Sequence, residues 1–215
     1  MLKLSNASKM PCKSWSLEAI DTCAGSRDQD TGELVPVCAD CYAAKGMYRF
    51  PVVKAARVHN KQDWKRDEWV ADMVTALKNE SYFRWFDSGD VYDRRLLIKI
   101  TAVVDLTPWC KHWLPSRMYK FKKFLKLLLE LAERPNVVVR WSIDDGFIDL
   151  QEKYKPNKSI VLMDESPNFW KHDYVDSNNL TVCRSSFNTG KDKGKCGDCR
   201  ACWNEDVKII AYIHH

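Results

Sequence analysis

Three cysteines fall within seven residues of one another, Cys196, Cys199 and Cys202 in the run KCGDCRACW. A C-x2-C-x2-C spacing gathers three thiolates around one small volume, which is what a cubane iron–sulfur cluster requires. Cys183, with twelve residues between it and Cys196, stands at the end of the apolar stretch 180–182 and supplies a fourth thiolate. Zinc usually takes its thiolates as two separated C-x2-C pairs, so the overlapping triple suits it less well, and it stays as the alternative. The intervening Gly197, Asp198 and Arg200 argue against a purely packed use of these thiols.

A second group lies near the amino terminus. Cys23 follows a presumed first strand, and Cys38-Ala-Asp-Cys41 follows a polar loop containing Gly25, Asp28, Asp30 and Gly32. Cys41-Tyr-Ala is expected to open a helix, whose free N–H groups suit thiolates and anions. The alternative is a zinc site of Cys12, Cys23, Cys38 and Cys41. Against it, Cys12 precedes a strand expected over residues 13–17. A strand of that length separates its two ends by roughly 15–20 Å. Cys12 is therefore not expected to be a ligand, and Cys110, beside Trp109, reads as a packed thiol.

The elements that must position these groups follow from periodicity. Strands are expected over residues 13–17, 82–86, 111–114, 137–143, 159–163 and 180–183. Helices are expected over 94–106 and 121–132, and residues 43–79 read as largely helical with a break near Pro51. In the second of these helices Phe121, Phe124, Leu125, Leu128 and Leu129 recur on one face. Strands alternating with helices imply βαβ units and a parallel sheet, and about six strands are too few for a closed eight-fold barrel. A partial barrel or a doubly wound sheet remains. Asp87 and Asp90, Ser116 and Arg117, Asp144 and Asp145, Glu165 and Ser166, then Cys183, all follow proposed strand ends. The carboxyl edge of a parallel sheet is where ligands bind, so the site is expected there.

Composition sets the outer limits. The chain has 215 residues, 45% of them hydrophobic, which suffices for one full-sized core with a small appendage. Nine cysteines cannot all pair internally, and their clustering reads as metal ligation rather than as a secreted disulfide framework. No apolar run reaches signal-peptide or membrane-span length, so a soluble protein of a reducing cytoplasm is expected, with no membrane partner. The formal net charge of +5 is a mild excess of base and does not by itself call for nucleic acid.

The arrangement Thr22-Cys23, then Cys38-Ala-Asp-Cys41-Tyr-Ala, then Phe50-Pro51 and a long helix resembles bacteriophage iron–sulfur proteins related to radical S-adenosylmethionine (SAM) enzymes. The resemblance implies a partial (β/α)6-type barrel over residues 1–182 and a cysteine-rich extension over 183–215. It implies that Cys23, Cys38 and Cys41 hold a [4Fe-4S] cluster with one iron left open to SAM. Ser88-Gly89-Asp90 would stand where the superfamily contacts the SAM amino group. The later cysteines would hold an auxiliary [4Fe-4S] cluster. An electron donor of the reductase or ferredoxin class, reductive cleavage of SAM and a host-cytoplasmic setting are implied as well. One departure stands out: fourteen residues separate Cys23 from Cys38, where the superfamily has three. A non-enzymatic, cluster-bearing binding or regulatory protein on the same scaffold, or a zinc-stapled domain, is the alternative.

Other candidates carry blander expectations. The run Arg117 to Lys126 interleaves aromatics with cations, as nucleic-acid surfaces do, but Phe121 and Phe124 share the apolar face. An ordinary helix with Lys120, Lys122, Lys123 and Lys126 in solvent is the simpler expectation. Arg117 is a candidate to meet a carboxylate or phosphate in the cleft. Asp144-Asp145 is expected to begin the Gly146 turn. His59, His112 and His172 share no metal-binding spacing, and the closing His214-His215 decides nothing.

Overall fold

Five parallel strands laid side by side in chain order form the centre of the molecule: β2 (Lys13–Trp15), β3 (Tyr82–Trp85), β4 (Lys111–Ser116), β5 (Val137–Ser142) and β6 (Asn157–Leu162). The computed structural model describes residues 1–144, 157–162 and 180–213. Asp145, Glu165, Ser166, His172 and His214-His215 lie outside the described residues, as does the end of the strand expected over 159–163. β1 (Ser5–Asn6) pairs antiparallel with β2 at one edge. At the other, β8 (Ile209–Ile213) inserts between β6 and β7 (Thr181–Val182) and runs parallel to both. The eight strands stand in the order β1-β2-β3-β4-β5-β6-β8-β7.

Strand order that advances in one direction, with right-handed crossovers, puts every connecting helix on one face. Accordingly α3 (Trp69–Leu77), α4 (Arg94–Leu106) and α5 (Lys122–Ala132) pack side by side against the same side of the sheet. Met73 and Leu77, Leu96, Leu97, Ile100, Val103 and Val104, and Phe124, Leu128 and Leu131 meet Phe83, Trp85, Leu114, Val137, Val139 and Trp141 in one core. α4 begins where Asp93 caps it, its carboxylate accepting from Arg95 N at 2.8 Å. This one-way winding is shared with barrels, but the expected partial barrel is here an open, mostly parallel sheet. The antiparallel β1 takes one edge and the late-inserted β8 displaces β7 at the other, so the edges do not meet.

The expectation of about six strands missed β1 and β8. The strand expected to stop before Pro115 continues to Ser116. Pro115 still aligns with Arg140 in the parallel register to β5, and only its missing N–H is lost from the ladder. The long helical stretch divides further than expected. Residues Tyr42–Ala44 and Gly46–Arg49 are single 3-10 turns, α2 (Pro51–Asp63) starts with Pro51 in its first turn, and residues 64–68 separate α2 from α3. Cys41 therefore caps a short turn rather than a helix, while Cys38 lies in the four-residue α1 (Pro36–Ala39).

The face of the sheet away from the helices is covered by the C-terminal segment. Trp203 packs on Trp113 and Tyr82, with ring centroids 5.3 and 5.5 Å away, and its Nε1 donates to the carbonyl of Phe83. Among the described residues, no helix is long and apolar enough to cross a membrane.

His112, on β4, lies wholly inside the helix-side core, stacked near Trp85 with Nε2 2.8 Å from Thr107 Oγ1. Burial pushes its imidazole down to about 3. The unfolded chain then takes up a proton between about pH 6.5 and 3 that the folded chain refuses, so stability falls as pH drops through that window. Replacing His112 with Gln is expected to remove up to about 1.4 kcal/mol per pH unit from that slope. Denaturant unfolding across pH 3.5–7 measures it, and parallel slopes for both proteins would refute it.

Candidate functional site

The first cysteine group lies at the carboxyl edge of the sheet. Although fourteen residues separate Cys23 from Cys38, the chain between them doubles back on itself. Arg27 pairs antiparallel with Leu34, Asp28 N donates to Glu33 O, and Val35 N donates to Ser26 O at 2.9 Å. Asp28 Oδ1 accepts from Asp30 N and Thr31 N to make the turn, and Gly32, at φ +75°, completes it. Ser26 N bonds back to Cys23 O and Cys38 N to Val35 O, so the base of this hairpin carries Cys23 and Cys38 to one neighbourhood. Cys41 follows one short turn later. The long interval is thus closed locally.

Asp90 fastens this loop to the sheet. Its carboxylate accepts from Val91 N at 2.7 Å, Ser116 Oγ at 2.8 Å and Arg117 N at 2.8 Å, while its own N–H points to Thr22 Oγ1. Burial raises its pKa, against the pull of those donors. Gly89, at φ +78°, leaves no room for a side chain: a Cβ there would stand 2.7 Å from both Leu17 Cβ and Thr22 Oγ1. Gly25 presses on the backbone of Arg117, where a Cβ would come within 2.6 Å of its carbonyl oxygen. Ser88 Oγ donates to Leu17 O at 2.7 Å and takes a bond from Arg57 Nε. Ser88, Gly89 and Asp90 therefore hold the strand ends and the Cys23 loop together through bonds internal to the protein.

Charge collects at the same edge. Arg117 Nε lies 3.1 Å from Asp144 Oδ1, Lys120 also pairs with Asp144, and Lys120 Nζ donates to Gly25 O at 2.8 Å. Arg117 is thus engaged by a carboxylate of the protein itself. Asp144 is an ion-pair partner of both Arg117 and Lys120, and the turn expected at Gly146 lies outside the described residues. Lys120 is not solvated with Lys122, Lys123 and Lys126; its side chain is only 15% exposed, because it lies N-terminal to α5 and turns under the Cys23 loop. Asp87 accepts from Tyr48 Oη at 2.7 Å and pairs with Arg84 at 3.1 Å, and its carbonyl accepts from Tyr42 Oη.

The second group gathers over the open sheet face. Cys183, Cys196, Cys199 and Cys202 line one recess of about 20 Å³ with Ser185, Trp203 and Ile210. Cys183 N bonds to Ala211 O and Cys196 N to Lys9 O, tying the recess to β8 and to the amino terminus. Cys202 Sγ lies 3.4 Å from Tyr212 Oη, and Cys183 Sγ lies 3.1 Å from Ser185 Oγ. Cys12 immediately precedes β2 and is buried with Trp113 and Trp203, away from the first group. Cys110 is fully buried in the main core.

Burial pushes the thiols of Cys23 and Cys12 up to about 12 and that of Cys202 up to about 11, and it raises Cys38 and Cys196 in the same sense. A cation is therefore needed to hold them as thiolates at neutral pH. Among the described residues, no three His, Cys, Asp or Glu side chains converge tightly enough to hold a metal ion as they stand. Sequence reading passed over two arginines beside the second group, Arg140 fully buried and Arg84 mostly so. Arg84 lies 4.4 Å over the Trp113 ring, and Arg140 lies in the middle of β5. A lone arginine inside the apolar run Val137-Val138-Val139-Arg140-Trp141 was the signal.

Because Gly25 abuts the Arg117 backbone, Gly25→Ala is expected to cost about 1–3 kcal/mol by overpacking. Gly32→Ala meets no neighbour and carries only the smaller cost of its positive φ. Urea unfolding of both variants measures this, and equal losses would refute the close contact.

Compared with protein families, the chain matches Gene product 88 over residues 2–205. No curated protein and no solved structure matches it. The match agrees with the bacteriophage side of the resemblance and carries nothing on radical SAM chemistry. The chain belongs to the Gene product 88 family.

Proposed function

We propose that this chain is an iron–sulfur protein with two [4Fe-4S] clusters, one held by Cys23, Cys38 and Cys41, the other by Cys183, Cys196, Cys199 and Cys202. The observation that carries this reading is that cysteines distant in sequence meet in space. Cys183 shares a recess with Cys196, Cys199 and Cys202, and a hairpin closes the interval between Cys23 and Cys38. When bound, such clusters supply one-electron transfer, and a three-thiolate cluster keeps one iron open to a small ligand such as SAM.

In this reading the protein's own residues do the positioning. Asp90 and Gly89 fix the Cys23 loop against the ends of β3 and β4. Arg117 and Lys120 supply positive charge beside Cys38, balanced in part by Asp144. Asp90 is buried and already accepts three bonds, two on Oδ1 and one on Oδ2, so a single acceptor site on Oδ2 is left for a SAM amino group. That favours a positioning role for Asp90 over a direct one. A second reading is zinc in the C-terminal group, where four thiols line one recess and a single ion needs no inorganic sulfide.

Anaerobic reconstitution followed by iron, sulfide and zinc analysis separates these readings. About eight iron and eight sulfide per chain are expected, with Cys199→Ala keeping about half. Zinc in stoichiometric amount with no iron would sink the two-cluster reading. SAM is expected to perturb the electron paramagnetic resonance spectrum of the reduced protein. An unchanged spectrum would leave a cluster-bearing scaffold with no SAM site.

A further inference from the structure

Arg140 is fully buried, with its side chain on the sheet face opposite the helices. Its guanidinium donates to four carbonyls, those of Ala201 at 3.0 Å, Cys202 at 3.2 Å, Asn204 at 2.9 Å and Val207 at 2.8 Å. All four belong to the turn that carries Cys202. Among the described residues, no carboxylate forms an ion pair with it, and the nearby Glu205 and Asp206 are exposed. Arginine does not give up its proton in a protein, so a full positive charge sits out of water among dipoles alone. Burying a charge without a counter-charge is costly, and four carbonyls only partly relieve it.

The anion-forming groups beside Arg140 are Cys202 and Tyr212. Tyr212 is a phenol, neutral at ordinary pH, whose Oη faces Cys202 Sγ at 3.4 Å. The thiol of Cys202 is the group left to supply charge, and it does so when a metal replaces its proton. Four thiolates around zinc, or around a cubane carrying two positive charges, leave a net charge of about −2. We propose that Arg140 is the counter-charge of the C-terminal thiolate centre, so that the unpaired guanidinium on the sheet draws that centre into its metal-bound form. This rests on the reading of the four cysteines as a metal centre. Arg140 is a positioning residue: it touches the backbone of the ligand loop and acts on the metal through charge. The competing role is a mechanical clamp for residues 201–207, in which charge does not matter.

Charge and clamp separate in two variants. Arg140→Lys keeps the cation and loses the four-way grip, whereas Arg140→Gln loses the cation as well. The probe is zinc alone, titrated against a chromogenic chelator in protein carrying Cys23→Ala, Cys38→Ala and Cys41→Ala, so that the C-terminal group is read by itself. Arg140→Gln is expected to weaken zinc by about 10–100-fold, the range seen for groups that support metal ligands, with Arg140→Lys recovering most of that loss. Equal losses in both, or none in either, would make Arg140 a clamp and overturn the proposal. If the parent protein takes neither zinc nor iron, the metal reading itself fails.

A second pair of variants leaves Arg140 in place. In metal-free protein Cys202→Asp offers the guanidinium a permanent anion, and Cys202→Asn offers the same shape without charge. The Asp variant is expected to melt roughly 3 °C or more above the Asn variant. Equal melting temperatures, or the reverse order, would show that Arg140 has no need of a counter-charge and would overturn the proposal.

Discussion

A parallel sheet wound in one direction has helices on only one of its faces, and the rest of this molecule answers to that constraint. β2 to β6 advance side by side, α3, α4 and α5 fill one side, and the other side would meet water. That second face carries Tyr82, Trp113 and Val138, too apolar to be left bare, together with Arg84 and the buried Arg140. The cover comes from the last stretch of chain, which among its described residues has no helix longer than a 3-10 turn and no sizeable apolar stripe of its own. It is held instead by point attachments: the Trp203 indole on Phe83 O, the Asn157 amide on Glu205 O and the Arg140 guanidinium on four carbonyls. A segment of this kind gains a great deal from a cross-link among its cysteines, because little else orders its backbone.

The amino-terminal group solves a different problem with the same economy of structure. A loop that leaves one strand and must present cysteines at the carboxyl edge has to be fixed without strands of its own. Here the hairpin at 27–34 shortens the long interval, and the buried Asp90 fastens its base to two strand ends at once. A buried carboxylate is tolerated because three donors meet it, and two of them are backbone N–H groups whose positions the strands already set. Gly25 and Gly89 matter for the same reason. Each removes a Cβ from a place where two backbones touch.

Much of this was legible in the sequence where a pattern was local. The 3–4 spacing of Phe124, Leu128 and their neighbours gave α5 to within a residue, and the Val137 run gave β5. The alternation of elements gave the parallel sheet. What escaped was set by distant partners. β1 is two residues long and exists only as the edge neighbour of β2. β8 follows the cysteine-rich turn and takes its place between β6 and β7, an order that no local signal records. Pro115 read as a strand end because the missing N–H is a local fact, while the tolerance of the neighbouring strand is not. Lys120 read as solvated because helical periodicity extends to it on paper. The helix in fact begins at Lys122, and the preceding turn folds the lysine under Gly25. The cysteine groups were legible as groups, yet the hairpin that unites Cys23 with Cys38 was not.

Arg84 links the two halves of this arrangement. On one side it pairs with Asp87 and lies 3.4 Å from Tyr42 Oη, one residue from Cys41. On the other it covers the Trp113 ring, which packs on Trp203, the residue after Cys202. Its side chain is 14% exposed, so it acts where water screens little. A mostly buried cation beside the C-terminal thiols lowers the cost of negative charge on Cys196 and Cys202. It has a carboxylate partner, and Arg140 has none among the described residues. The two arginines therefore differ in kind. Arg84 is neutralised by Asp87 whether or not the cysteines hold a metal, whereas the charge state of the C-terminal thiols decides whether Arg140 is paired at all. On the proposed reading the sheet face favours an anion at one end and is indifferent to it at the other, which sets the C-terminal group apart from the amino-terminal one.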